Sequence, residues 1–486
     1  MSNQTTPYRI IFIMCAGLLS GCMVGPNYRT PTLALPAAWQ ETDSTALNSS
    51  SSDSAKLAAW WQTLHDPLLT ALVEEAAANN LDHKLAVARL REARARRGYA
   101  SADRYPAVEL GVGAGRNQSS DDSGGGRTND SFSARLDASW EADLFGGKRR
   151  ATEAAIATEE AAVENVRDVR ISLLAEVVLT YLEIRSAQTR INITKSTITN
   201  LAETLQLTSW RYQAGLVTQL DEEQARLNLE QTRAQLPGLE GDLAKGRNNL
   251  ALLLGRDSGA MKDLEHASPV PWPTAELAVG VPAETLRRRP DVRKSERELA
   301  AATAQVGVAE ARRYPDLSLS GTLGLQANNA ANLFQPGGIM YSLAANSLMT
   351  IFDGGRLKQQ VEIQNALQEQ ALINYRKIVQ TALRDAENAL SAYAFELNRH
   401  TSLQKALKAA ANAETLAKYQ YEAGLVDFSA VFESQRSLLV LQDQLAQSNA
   451  AVTSNLARLY KALGGGWEYG STSDAKAVHA ISGEKQ

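Results

Sequence analysis

Lys148–Ala214 (KRRATEAAIATEEAAVENVRDVRISLLAEVVLTYLEIRSAQTRINITKSTITNLAETLQLTSWRYQA) runs for 67 residues without a glycine or a proline, and Arg356–Ala423 does the same for 68. As helix, at 1.5 Å per residue, each stretch reaches about 100 Å, several times the diameter of a small domain. Periodicity supports helix: Ile156, Val163, Val177, Ile184, Ile191, Ile198 and Leu205 recur every seven residues, broken only by Arg170. A sustained seven-residue step means left-handed coiled-coil packing against neighbouring helices. Each stretch ends at Ala-Gly-Leu-Val, where the glycine can adopt the left-handed helix-ending conformation. A second heptad run follows each tip: Leu229, Leu236, Leu243 and Leu250 in the first case, Val431, Leu438, Leu445, Val452 and Leu459 in the second. These spacings predict two long helical hairpins turning at Gly215–Val217 and Gly424–Val426.

The two hairpins belong to a duplication. Arg104-Tyr105-Pro106 recurs as Arg313-Tyr314-Pro315, Tyr212–Val217 as Tyr421–Val426, and Leu254-Gly255 as Leu463-Gly464, each pair 209 positions apart (104 to 313, 212 to 421, 254 to 463). Leu144-Phe145-Gly146-Gly147-Lys148 is echoed by Ile351-Phe352-Asp353-Gly354-Gly355-Arg356 with a one-residue slip. Between Pro106 and Gly146 the period changes to two. Phe132, Ala134, Leu136, Ala138 and Trp140 alternate with Ser131, Ser133, Arg135, Asp137 and Ser139. In the second copy Leu317, Leu319, Leu323 and Leu325 alternate with Ser318, Ser320, Thr322 and Gly324. Val108, Leu110 and Val112 supply a partner strand for the first, Tyr341 and Leu343 the start of a less regular partner for the second. Such alternation marks strands with one apolar face, and their length of roughly ten residues spans a bilayer when tilted. Four open-edged strands cannot stand alone in hydrocarbon, so several chains must pool them around a polar lumen.

At the N-terminus, Arg9 precedes an apolar stretch, Ile10–Leu19, and Leu19-Ser20-Gly21-Cys22 has the form of a lipobox. This predicts a signal at 1–21, loss of Cys15, and a covalent N-terminal lipid on Cys22. Met23 rather than Asp in the next position points, by analogy with lipoprotein sorting, to the outer membrane. Net charge of −4 offers no field for nucleic acid. No run of 18 to 20 apolar residues predicts a spanning helix. Two cysteines cannot form a four-thiolate metal site. His65, His83, His266, His400 and His479 are scattered, and neither a His-Glu-x-x-His helix nor a Gly-Lys-Ser/Thr phosphate loop occurs. The expectation is no enzyme: no catalytic residues, no metal and no cofactor beyond the lipid.

These features resemble the TolC family of outer-membrane factors, in its OprM-like, NodT-type efflux lipoprotein branch. The resemblance is carried by Cys22–Tyr28 (CMVGPNY) with Pro31, Trp60-Trp61 with Asp66-Pro67-Leu68, Leu286–Val292 (LRRRPDV) and Ile351–Arg356 (IFDGGR). It implies a mainly α chain with a membrane β-barrel contribution, three copies forming a 12-stranded barrel on a long α-helical barrel. The chain then divides into an extended lipidated segment (22–60), a first repeat (61–255, β-hairpin 106–140, helical hairpin 148–255), and a Pro-rich linker and equatorial region (256–283). A second repeat (284–464, β-hairpin 315–351, helical hairpin 356–463) and a polar tail (465–486) complete it.

The implied function is the outer-membrane exit duct of a tripartite efflux system carrying drugs or toxic small molecules, with an iris-like periplasmic gate. The implied partners are a homotrimer, a periplasmic adaptor, an inner-membrane pump of the resistance-nodulation-division class and outer-membrane lipid, with no nucleic acid. By position, the gate falls on Asp221, Tyr421 and Glu433, with Asp427 beside the second turn as a further candidate. Adaptor contact falls on Gly215, Leu216, Val217, Gly424, Leu425 and Val426. Val426 stands where TolC has a basic residue and Ala430 where another acid is expected, so that lock does not transfer intact. The alternatives are a duct for type I protein secretion and a passive coiled-coil lipoprotein, the latter leaving the polar-faced strands without a purpose.

Overall fold

The computed structural model describes residues 23–32, 36, 39, 47–48, 57–257, 259, 261, 264–273, 277–278 and 282–467. Cys22, the signal and the tail beyond 467 lie outside these. The chain forms two compact units, and each draws on both sequence copies. The first combines Met1–Thr32, Arg89–Ala162 and Lys294–Arg376, and the second Leu33–Ala88, Val163–Arg293 and Lys377–Gln486. Seven principal helices are α1 (Pro67–Asn79), α2 (Leu81–Ala102), α3 (Gly147–Gln213), α4 (Gln219–Leu254), α5 (Pro290–Ala311), α6 (Arg356–Glu422) and α7 (Phe428–Ala462). The four main strands are β1 (Ala107–Gln118), β2 (Thr128–Ala142), β3 (Asp316–Ala327) and β4 (Ile339–Leu348). Among the described residues no helix is long and apolar enough to cross a membrane.

The first unit holds a single antiparallel sheet in the order β1-β2-β3-β4. Its registers run without a bulge, so alternation carries intact from strand to strand. β4 is a regular ten-residue strand, more complete than its sequence suggested, because its pairing with β3 tolerates Ala344, Ala345 and Asn346. Where strands give way to helices, a carboxylate satisfies the free amide groups of the helix start. Asp143 accepts from the Lys148 and Arg149 amides at 3.1 and 2.9 Å. Asp353 accepts from those of Leu357 and Gly355 at 2.7 and 2.8 Å, and these bonds, that of Leu357 foremost, hold its carboxyl below the usual range.

The N-terminal segment is strapped to this unit by Arg150, whose side chain is 1% exposed. Its guanidinium donates to the Val24 carbonyl at 3.1 Å, the Gly25 carbonyl at 3.0 Å, the Asn27 Oδ1 at 2.8 Å and the Glu153 carboxylate at 2.8 Å. A Cβ on Gly307 would stand 2.8 Å from the Arg150 Cγ and Nε, so only glycine leaves room for that side chain. The Val24 amide donates to the Phe145 carbonyl at 3.1 Å, and further along Tyr28 Oη donates to Glu296 at 3.0 Å. Burial, with Glu296 adding to it, pushes the Tyr28 hydroxyl up to about 12.

The second unit is built on α3. Trp60, Leu69, Leu72 and Val73 pack on Leu174, Val177, Val178, Leu182, Leu250 and Leu254. Asp66 accepts the Leu69 amide as the α1 N-cap and also takes the Tyr181 hydroxyl. Arg185 then donates to Tyr181 Oη at 3.0 Å and to the His266 carbonyl at 2.8 Å, which is how a buried guanidinium is tolerated. Along α4, Ala225, Leu229, Thr232, Leu236, Leu239, Leu243, Gly246 and Leu250 turn inward at alternating steps of four and three, the coiled-coil seam. The helix continues through Pro237, which sits on the exposed side where a missing amide bond is cheap. Ile156, at the start of the heptad series, lies in the first unit and is 40% exposed. Beyond α7, Trp467 lies under the guanidiniums of Arg167 and Arg293, 4.6 and 5.7 Å from its ring. Both cations also hold the buried Glu164, at 2.8 and 2.7 Å.

Two outcomes follow from these buried charges. Arg150→Ala removes one partner from a buried, multiply bonded group, an effect of about 3–5 kcal/mol. Hydrogen exchange should show the Val24 amide losing its protection, while retained protection contradicts the latch. His83 is buried, and burial first, then the Arg170 charge, holds its imidazole below the usual value. As pH falls through about 6.5 the unfolded chain takes up a proton that the folded imidazole refuses, so this contribution is full above that pH and declines below it. His83→Gln should flatten the acid limb of a melting-temperature profile, and an identical limb rules the residue out as its source.

Candidate functional site

In the first unit the sheet presents two chemically distinct faces. Val108, Leu110, Val112 and Ala114 on β1 align with Phe132–Trp140 on alternate positions of β2, with Leu317, Leu319, Leu323 and Leu325 on β3, and with Ile339, Tyr341 and Leu343 on β4. This face is open: Val112 is 78% exposed and Leu343 88%. At one of its ends Arg116 and Asp130 form a two-pronged ion pair, its second bond 2.7 Å long. At the other, the Trp140 indole donates to the Arg104 carbonyl at 2.9 Å, and Phe145 stacks on Tyr314 with ring centres 4.6 Å apart. A tall apolar band bounded by aromatic and charged groups is the pattern of a sheet whose outer face meets lipid. The opposite face carries Glu109, Ser131, Ser133, Arg135, Asp137, Ser139, Ser318, Ser320, Thr322, Gln326, Ser342 and Asn346.

In the second unit the helical hairpins turn where the glycines predicted. Gly215 has φ +69° and Gly424 φ +75°. The Leu216 amide returns to the Arg211 carbonyl and that of Leu425 to the Gln420 carbonyl, both at 2.9 Å. This is the doubled-back helix ending that glycine makes possible. Leu216 and Leu425 are 72% and 75% exposed, whereas Val217 and Val426 pack against a small core of Ala225, Tyr421, Phe428 and Val431.

The candidate gate residues are not equivalent. Asp221 sits in a capping box: its carboxylate accepts from the Thr218 amide at 2.8 Å, while the Thr218 hydroxyl accepts from the Asp221 amide. Asp427 occupies the corresponding N-cap of α7, but its side chain makes no capping bond. The duplication explains this, because Thr218 and Asp221 align with Asp427 and Ala430 at the same 209-residue offset and the second copy has lost the box. Asp427 and Glu433 are both exposed. Tyr421 is 6% exposed, stacked edge-on to Phe428 at 5.5 Å, and its hydroxyl has no partner among the described residues.

Two residues that sequence reading missed complete the tip. Arg211 donates to the Tyr421 and Glu422 carbonyls at 3.2 and 3.1 Å and lies 4.6 Å from the centre of the Tyr421 ring. It thus covers the free carbonyls and negative end of α6 from the neighbouring hairpin. Its only sequence signal is asymmetry, since Gln420 stands at the matching place in the second copy. Phe428 is the other, signalled by a large apolar residue directly after an N-cap.

Comparison with known proteins gives this geometry its context. The family model described as outer membrane efflux protein matches residues 72–256 and 281–465, one match per repeat. The chain is 34% identical over 461 residues to the pyoverdine export outer membrane protein OpmQ of Pseudomonas aeruginosa, covering 93% of this chain and 95% of that protein. It is 31% identical over 475 residues to nodulation protein T of Rhizobium leguminosarum bv. trifolii, covering 96% and 98%. Among solved structures, the outer-membrane channel OprN superimposes with a TM-score of 0.87 at 34% identity, over 92% of this chain and 100% of that one. With both repeats matched, an amphipathic four-stranded sheet and two long helical hairpins, the chain belongs to the outer membrane efflux protein family and has the fold of its outer-membrane channels.

Proposed function

We propose that three copies of this chain close a twelve-stranded barrel and a helical tunnel, and that this ring is the exit duct of a tripartite efflux assembly. The observation that carries this reading is the sheet itself. One face is apolar and open along four strands, while the free edges of β1 and β4 hold unpaired backbone groups. In hydrocarbon each such group costs several kcal/mol, so the edges must meet those of identical chains, and four strands per chain fit a closed barrel in threes. The polar faces then line water. Cys22 carries the lipid that tethers the N-terminus, and the strap latched by Arg150 begins at the next residue. A periplasmic adaptor fits the exposed Leu216 and Leu425 at the tips, and an inner-membrane pump of the resistance-nodulation-division class supplies the energy that the duct itself lacks.

Asp427 and Glu433 are the gate acids in this reading. Neither carboxylate is consumed in a cap, and like charges gathered on a threefold axis disfavour one another's ionisation, giving a cation-preferring constriction. Asp221 supports the same tip structurally through its cap, and Tyr421 through its packing.

Replacing Asp427 and Glu433 by Ala should raise the resting conductance of the purified trimer in planar bilayers while leaving its melting temperature close to that of the parent. Thr218→Ala, which removes the hydroxyl that caps α4, should instead loosen the tip by about 0.5–2 kcal/mol. Conductance unchanged in the double variant would remove both acids from the gate.

A further inference from the structure

The polar face of the sheet contains one base. Among the described residues of β1 to β4, Arg135 is the only cationic side chain on inward-facing positions, since Arg116 lies on the apolar side paired with Asp130. Its placement is specific. The Arg135 Nε donates to the Asp137 Oδ2 at 2.8 Å, and the other oxygen of Asp137 accepts the Thr322 hydroxyl at 2.7 Å from the neighbouring strand. Arg135 is flanked in register by glycine on both sides, Gly111 on β1 and Gly324 on β3. A Cβ on Gly111 would stand 3.5 Å from the Arg135 Cγ and Nε, so the side chain lies flat over that strand. At Gly324 a Cβ would stand 2.7 Å from the Arg135 Cα and Cβ, which leaves glycine alone at that position. Two residues along, Asp137 faces Glu109 directly in register. Each chain therefore places two carboxylates and one guanidinium at one level of the polar face.

We propose that Arg135, pinned by Asp137 and Thr322 over a glycine floor, sets the charge of the duct at mid-barrel by offsetting one of the two carboxylates there, and so weakens the exclusion of anionic solutes at that level. This rests on the barrel reading above. Twelve strands about 4.8 Å apart and tilted by about 40° enclose a backbone diameter of roughly 24 Å. Side chains narrow that lumen until its wall lies about one Debye length, roughly 8 Å, from the axis. Fixed charges on the wall consequently act on every ion that passes. With Arg135 present each chain contributes a net charge of −1 at this level, from Glu109, Asp137 and Arg135; without it the contribution becomes −2. Pinning the guanidinium to the wall keeps its charge in place while leaving the bore open, which a freely extended arginine would not do.

Reversal potentials across planar bilayers in a potassium chloride gradient test this, using the full-length trimer with Asp427→Asn and Glu433→Gln so that the tip carries no gate charge. Arg135→Gln should move the reversal potential toward the potassium equilibrium value. Glu109→Gln and Ser133→Arg should move it toward the chloride value, and the second adds a base beside Gly113 without touching the Arg135 contacts. Reversal potentials that stay fixed in all three, or that move in the same direction, overturn the proposal. A parent trimer that forms no conducting pore overturns the barrel reading instead, so the two failures are separable.

Discussion

Unsatisfied backbone at the two margins of the sheet governs this molecule. β1 and β4 each end the hydrogen-bonded ladder with a row of amide and carbonyl groups, and the strands between them show hydrocarbon side chains on an uncovered face. Water could solvate the margins but not that face, and lipid could cover the face but not the margins. Only pairing with further strands in a bilayer resolves both at once. The N-terminal strap and the carboxylates that cap the helices leaving the strands lie in the same unit and hold this incomplete sheet ready for its neighbours.

The tips show how duplication permits divergence. Both turns use a left-handed glycine and the same returning amide bond, because the geometry of reversing a long helix leaves little choice. Around that shared frame the copies have parted. The first keeps Thr218 and Asp221 as a reciprocal cap and lends Arg211 to the end of α6, while the second has released Asp427 from capping. One tip has become support and the other has a carboxylate to spare.

Much of this was legible in the residues. The glycine-free stretches, the heptads and the period-two segments specified helices and strands closely, because those patterns express burial directly and the elements are long. The 209-residue echo located the turns. The interactions of isolated polar groups were not legible: Arg150 reaching the carbonyls of Val24 and Gly25, Arg185 bridging Tyr181 and His266, and Arg211 crossing between hairpins all join positions far apart in sequence, and arginine in a helix reads by default as a solvated face. Asp221 falls at the gate by its position, and the Thr-x-x-Asp spacing around it also carries the capping box. Tyr421 falls at the gate by the same reasoning, and its packing in the tip core was not legible from position.

The pairing of β2 with β3 joins the two copies within one polypeptide, from Phe132 opposite Ala327 to Ala142 opposite Leu317. A half-length forebear with a single pair of strands would have needed six subunits to close the same ring. In the three-copy ring proposed above, joining two copies in one chain makes every second junction a folding step rather than a collision between molecules, and the dependence of assembly on protein abundance is of the third power rather than the sixth. In a crowded envelope, where each unpartnered subunit is a candidate for degradation, that reduction in molecularity is a lasting benefit of the doubled gene.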